Sequence, residues 1–147
     1  MQITEAQYQE YAENGFVILR NYLPEAKRAE VAAALRCVIP PWESVKHDPP
    51  KGQTLFGEFP YPEQVLNELI VDPEILKFAR WVLGTHDIQY RAGMSLARYP
   101  GYSAGTNGWH IDNGNNSLLP VSHDNPTHAQ MTCWWHFEDV DADQAPM

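Results

Sequence analysis

The residues of this chain best suited to chemistry are His110 and Asp112, in the stretch Gly108-Trp109-His110-Ile111-Asp112. In an extended segment successive side chains alternate faces, so His110 and Asp112 project to one side while Ile111 turns away. An imidazole nitrogen and a carboxylate oxygen then converge on one point. That supplies two of the three ligands of a facial 2-His-1-carboxylate metal site, which leaves the opposite face open for oxygen and a co-substrate. Neutral imidazole with carboxylate is the ligand mix that ferrous iron uses in such sites. Taken alone, the triplet also fits a surface histidine beside a loop aspartate.

The elements around the motif must therefore position it. Pro100 to Asn107 reads as a Gly- and Ser-bearing loop before it, and Asn113 to Pro126 as a loop after it. From Ile88 the pattern has period two: Ile88, Tyr90, Ala92, Met94 and Leu96 share one face, and Gln89, Arg91, Gly93 and Ser95 the other. A strand of about ten residues ending near Tyr99-Pro100 is expected there. Ala129 to Val140 reads as a second long strand. On it Gln130, Thr132, Trp134 and His136 face one way, and Met131, Cys133, Trp135 and Phe137 the other.

The first half of the chain reads as helical support. Thr4-Glu5-Ala6-Gln7 is a capping box, with Ile3 and Tyr8 placed as a hydrophobic staple. That helix is expected to reach about Glu13 and stop at Gly15. Phe16-Val17-Ile18-Leu19 follows as a short buried strand. Pro24 opens a second helix to roughly Arg36, with Val31 and Leu35 on its inward face. Residues 40–62 carry Pro40, Pro41, Pro49, Pro50, Pro60 and Pro62, which predicts a long loop containing His47 and Lys51. Glu63 to Ile70 is a short helix. Asp72-Pro73 caps another, which runs through Trp81 to Gly84. Helices first and strands second indicate an α+β arrangement, helices buttressing an antiparallel sandwich or jelly roll.

Composition bounds the rest. The 147 residues make one domain, without internal repeat or linker, and 44% hydrophobic residues suffice for a core. A formal net charge of −9, with no clustered Lys/Arg stripe, argues against a nucleic-acid partner. Cys37 and Cys133 lack metal-type spacing and read as free thiols of a reducing compartment. Met1 to Glu5 shows no basic region followed by an apolar core, and no apolar run approaches a membrane span, so a cytoplasmic location is expected. No Gly-x-Ser-x-Gly elbow, phosphate-binding glycine loop or His-Glu-x-x-His helix is present.

In order along the chain, five segments resemble the phytanoyl-CoA dioxygenase (PhyH) family of iron(II)/2-oxoglutarate oxygenases. Tyr8 to Leu19 followed by Leu23-Pro24 is similar to the family's opening helix, strand and second helix. Ile75 to Gly84 resembles the helix before the core strands, and Met94 to Pro100 the strand that leads to the iron motif. Gly108 to Asp112 resembles the motif itself. Cys133 to Val140, with Asp141 to Met147, is similar to the next core strand and its turn.

The resemblance implies a double-stranded β-helix, with Fe(II) held by His110, Asp112 and a later histidine. It further implies 2-oxoglutarate chelating the metal, its far carboxylate paired with an arginine beyond that histidine, and hydroxylation of a small organic substrate. By motif position Met94 and Trp134 correspond to residues that line the co-substrate site; ordinary core packing is the other reading of both. The family's third ligand and arginine lie past the turn where Met147 falls, and no Arg or Lys follows Arg98. The chain is thus expected to be the first part of a longer domain. Its strand edges, with Met131, Trp135 and Phe137, would be left exposed and open to self-association. His123, His128 and His136 are the local candidates for a third ligand, and Arg91 and Arg98 the cations nearest the motif in sequence. A non-catalytic relative that binds a small molecule after losing the distal histidine and arginine is the alternative. Substrate choice would fall to residues 40–62 and 113–127, where Asn113, Asn115, Asn116 and Ser117 offer hydrogen bonds.

Overall fold

The computed structural model describes residues 2–50, 54–101, 130–138 and 141. Five helices and two strands occur among them: α1 (Glu5–Asn14), α2 (Glu25–Val38), α3 (Trp42–Val45), β1 (Thr54–Glu58), α4 (Gln64–Ile70), α5 (Pro73–Leu83) and β2 (Met94–Ala97). Helices beside a small antiparallel sheet make this an α+β fold.

The start of α1 follows from its cap. Thr4 Oγ1 accepts from the Gln7 amide, and the Gln7 side chain accepts from the Thr4 N–H at 2.8 Å, closing the capping box. Both staple residues, Ile3 and Tyr8, are buried. Gly15, at φ +78°, ends the helix in the left-handed region. Asp72 caps α5 as expected, its Oδ1 accepting from the Glu74 and Ile75 amides at 3.0 Å, with Pro73 in the first turn. Pro24 stands at the cap of α2, one residue ahead of its first turn.

Two apolar clusters form the core. In one, Val31 and Ala34 of α2 meet Tyr61 and the α4 residues Val65, Leu66 and Leu69; Val31 is completely buried. In the other, Ile3, Tyr8 and Tyr22 meet Ile75 and Phe78 of α5. Leu23 and Trp135 pack against both clusters, so the segment after residue 130 helps join them. Among the described residues no helix is long and apolar enough to cross a membrane.

β1 and β2 pair antiparallel, Thr54 opposite Ala97, Leu55 opposite Leu96 and Phe56 opposite Ser95. The register shifts between Phe56 and Glu58, leaving Gly57 as an extra residue at φ +59°, the geometry of a glycine bulge.

Several expectations need correction. Phe16 to Leu19 is not a strand, and Phe16 and Ile18 are 59% and 56% exposed. Val17 and Leu19 alone turn onto the core, because alternation buries one face and no described strand covers the other. Residues 40–62 are not one long loop but hold α3 and β1. Pro40 and Pro41 sit ahead of α3, where a missing N–H is harmless. Pro49-Pro50 and Pro60 flank the Thr54 to Glu58 run, which lies clear of both and can pair.

The strand expected from Ile88 is confined to Met94–Ala97. The last bond on that side is Phe59 N–H to Gly93 C=O at 3.0 Å. Donors alternate along an antiparallel strand, so Tyr61 N–H would make the next, but it donates to Asn67 Oδ1 at 2.7 Å instead. Residues 130–138 form no strand, since no described partner ladder receives them. Their side chains still alternate, but with the faces the other way round from the expectation. Met131, Trp135 and Phe137, expected to be left exposed, pack on the two core clusters, whereas Thr132, Trp134 and His136 are exposed. The wider β-helix is not present among the described residues.

Candidate functional site

His110 and Asp112 lie outside the described residues, as do His123, His128, Lys51 and the 113–127 stretch. The segments that flank them in sequence are described. Upstream, β2 buries Ser95, whose hydroxyl donates to the Tyr61 phenol oxygen at 3.3 Å. Tyr99, 8% exposed, donates its hydroxyl to the Pro40 carbonyl and stacks on Trp42 at 6.3 Å between centroids. Phe56 meets the same ring edge-on. Burial pushes the Tyr99 phenol above its ordinary pKa, so the anchor stays protonated and donating at neutral pH. The chain therefore leaves β2 from a fixed point.

Downstream, the chain is held by Gln130 and by aromatic packing. Arg91 Nη1 donates to Gln130 Oε1 at 3.0 Å, across 39 positions of sequence. Trp135 meets Tyr22 edge-on at 5.5 Å. The described segments on either side of the His-x-Asp motif in sequence are thus each anchored, one through Tyr99 and β2, the other through Gln130 and Trp135.

Met94 and Trp134 stand on these flanks, 45% and 48% exposed. Core packing, one of the two readings of these residues, does not describe either. Both leave a large apolar side chain available to another group. Their neighbours Ser95 and Trp135 turn inward instead, as strand-like alternation requires.

His136 is exposed, and among the described residues no cluster of three His, Cys, Asp or Glu side chains has metal-binding geometry. His47 is likewise exposed. Cys133 is exposed as a residue, yet burial of its thiol, with the Asp72 carboxylate nearby, pushes the thiol up to about 11. It stays protonated at neutral pH and is a poor nucleophile, although Cys133, expected in the core, belongs to neither core cluster.

Two features carry no motif in the sequence. One is the Tyr22–Asp72 pair, whose phenol donates to Asp72 Oδ1 at 2.6 Å. Burial, then this bond, hold the Tyr22 phenol well above the tyrosine range. The other is a cleft of about 320 Å³ after α5, lined by Lys77, Arg80, Trp81, Gly84, Thr85 and His86. The helical spacing of Lys77, Arg80 and Trp81 was its one available signal.

Comparison with models of protein families, with curated proteins and with solved structures finds no match to this chain.

Proposed function

We propose that this chain belongs to an Fe(II)/2-oxoglutarate-dependent dioxygenase of the phytanoyl-CoA dioxygenase type, which hydroxylates a small organic substrate. The observation that carries the reading is the Gly108 to Asp112 motif standing in sequence between two segments that present large apolar side chains outward, Met94 on one and Trp134 on the other. By motif position Met94 and Trp134 correspond to residues that line the co-substrate site in the family, and both are exposed. The Tyr99 anchor and the Arg91–Gln130 bond support it further, because a site of this kind needs its flanks held rigid.

The donor chemistry fits the metal. One imidazole and one carboxylate on alternate positions suit ferrous iron and leave co-substrate positions free. Cys133, held protonated, offers no soft thiolate that would draw zinc or copper instead. When bound, the iron and 2-oxoglutarate would supply oxygen activation coupled to decarboxylation. The part of this chain is narrower. His110 and Asp112 hold the metal, Met94 and Trp134 wall the co-substrate pocket and exclude water, and Arg98 lies near enough in sequence to meet an anionic group. A double-stranded β-helix is the architecture in which these roles are met together.

The test is an anaerobic titration of the chain with Fe(II) and 2-oxoglutarate, following the weak visible charge-transfer band of the chelate. A band that appears and is lost in both His110→Ala and Asp112→Ala supports the reading. Binding of iron that neither substitution affects sinks it, and absence of any iron binding leaves the non-catalytic relative as the better description.

A further inference from the structure

The cleft at the C-terminal end of α5 combines features that the proposed oxygenase site does not use. Lys77, Arg80 and His86 bring three cation-forming side chains to a mainly apolar wall in a protein of net charge −9. Among the described residues none of the three forms an ion pair with a carboxylate. Basic residues at a helix end ordinarily serve the unsatisfied carbonyls and the dipole. Here the backbone serves two of the last four carbonyls: Gly84 N–H donates to the Trp81 carbonyl at 3.3 Å and Thr85 N–H to the Arg80 carbonyl at 3.2 Å. Among the described residues Lys77, Arg80 and His86 donate no hydrogen bond to the remaining helix-end carbonyls.

Trp81 supplies the second component. It is 46% exposed, yet its ring is held from behind by three others. Tyr8 meets it edge-on at 4.9 Å, Tyr11 at 6.2 Å, and Phe78 stacks at 5.8 Å. An exposed indole fixed in this way is a ready stacking platform, with little side-chain entropy left to lose on binding. The cleft's volume lies at the small end of the range for ligand pockets.

We propose that this cleft binds a small oxyanion carried on an aromatic ring, an aryl phosphate or aryl carboxylate. The ring lies against Trp81, and the Arg80 guanidinium and Lys77 ammonium take the anion. Arginine's planar fork suits either anion, and lysine adds a point charge. An unsubstituted anion gains only the charge interaction, which water and salt weaken on an exposed surface. A neutral ring gains only the stacking.

The experiment is a ¹H–¹⁵N titration of the full chain with phenyl phosphate, followed at the indole N–H resonances, with Trp81 assigned by its loss in Trp81→Phe. Inorganic phosphate and benzyl alcohol are titrated in parallel. The expected result is a saturable shift at Trp81 that leaves the indoles of Trp42 and Trp135 in place, with each control ligand binding at least about tenfold more weakly, a difference of roughly 1.4 kcal/mol. Lys77→Ala with Arg80→Ala should lower the phenyl phosphate affinity by about tenfold or more while the remaining indole spectrum stays native, which also reports that the variant is folded. Equal binding of benzyl alcohol and phenyl phosphate, a Trp81 response unchanged in the double variant, or no response at all would each overturn the proposal. None of these readouts depends on iron or 2-oxoglutarate, so the outcome is independent of the proposed oxygenase activity.

Discussion

Tyr22 and Asp72, fifty positions apart, share one carboxylate oxygen with the start of α5. The Tyr22 hydroxyl donates to Asp72 Oδ1 at 2.6 Å, and that same atom accepts from the Glu74 and Ile75 amides at 3.0 Å. One atom thus fixes a helix start and ties it to the segment between α1 and α2. Asp72→Ala removes all three bonds and is expected to cost about 1–3 kcal/mol, whereas Tyr22→Phe leaves the cap intact and costs roughly 0.5–1.5 kcal/mol. Urea unfolding at pH 7 measures both, and equal losses in the two variants would show that the cap contributes nothing of its own.

The same phenol gives the pair a pH signature. Its pKa in the folded protein is raised above the ordinary value of 10.0 by burial and by Asp72, so the folded state holds the proton more tightly than the unfolded chain. Its contribution is complete below about pH 10, the ordinary tyrosine value, and falls as pH rises toward the folded value. The stability gap between the native chain and Tyr22→Phe should therefore be constant from pH 7 to 9 and narrow at more alkaline pH. A gap that widens there would contradict the assignment.

Thiol labelling separates the two cysteines. Because the Cys133 thiol is raised from 9.0 to about 11, it carries roughly a hundredfold less thiolate at pH 8 than an ordinary cysteine. With an aromatic disulfide reagent, Cys133 in Cys37→Ser should label far more slowly than Cys37 in Cys133→Ser, and the difference should vanish in urea. Asp72→Asn, which keeps a capping oxygen but removes the charge, should speed labelling of Cys133. Equal rates in the folded single-cysteine variants would place the Cys133 thiol in water.

The elements legible in the sequence were those set by local chemistry. The Thr4–Gln7 box, the Asp72-Pro73 start and the Gly15 and Gly84 ends each depend on residues within one or two turns, and the structure places all of them. The apolar face of α2 was equally plain from Val31 and Leu35. What the sequence hid was pairing. Phe16 to Leu19 and Ile88 to Gly93 have strand patterns, but a ladder also needs a partner and donors. The Tyr61 N–H that would carry the β1–β2 ladder along Ile88 to Gly93 is taken by Asn67 Oδ1. β1 was masked by the prolines around it. At the candidate site, alternation put Trp134 and Trp135 on opposite faces but not on the right ones, since Trp135, expected to be exposed, packs on the helical core. The contact between Arg91 and Gln130 could not be read because its partners are far apart in the chain.

Gly57 makes the bulge in that sheet testable. At φ +59°, an added Cβ would lie 3.0 Å from Tyr61 Cε1 and 3.0 Å from Val38 Cγ1, so both backbone strain and crowding oppose it. Gly15, at φ +78°, has nothing within 4 Å of its virtual Cβ and meets the strain alone. Gly15→Ala should cost about 1 kcal/mol and Gly57→Ala about 1–3 kcal/mol more, from overpacking. Chemical denaturation of the two variants checks the order; if Gly57→Ala is the milder change, the crowding against Tyr61 is relieved at no cost.

Trp134 and Trp135 offer the sharpest contrast, since neighbours in sequence have opposite surroundings. Trp135 bridges the two core clusters and meets Tyr22, so Trp135→Ala should lower stability by about 2–4 kcal/mol. Trp134, 48% exposed, should lose less than about 1 kcal/mol as Trp134→Ala. If Trp134 walls the co-substrate pocket, its loss must appear in the iron and 2-oxoglutarate titration instead, as a weaker apparent affinity for 2-oxoglutarate at unchanged melting temperature. Met94→Ala, which also removes an exposed apolar side chain, should behave in the same way. A Trp134→Ala chain that binds 2-oxoglutarate as tightly as the native one would remove Trp134 from the site and leave its exposed indole to another role.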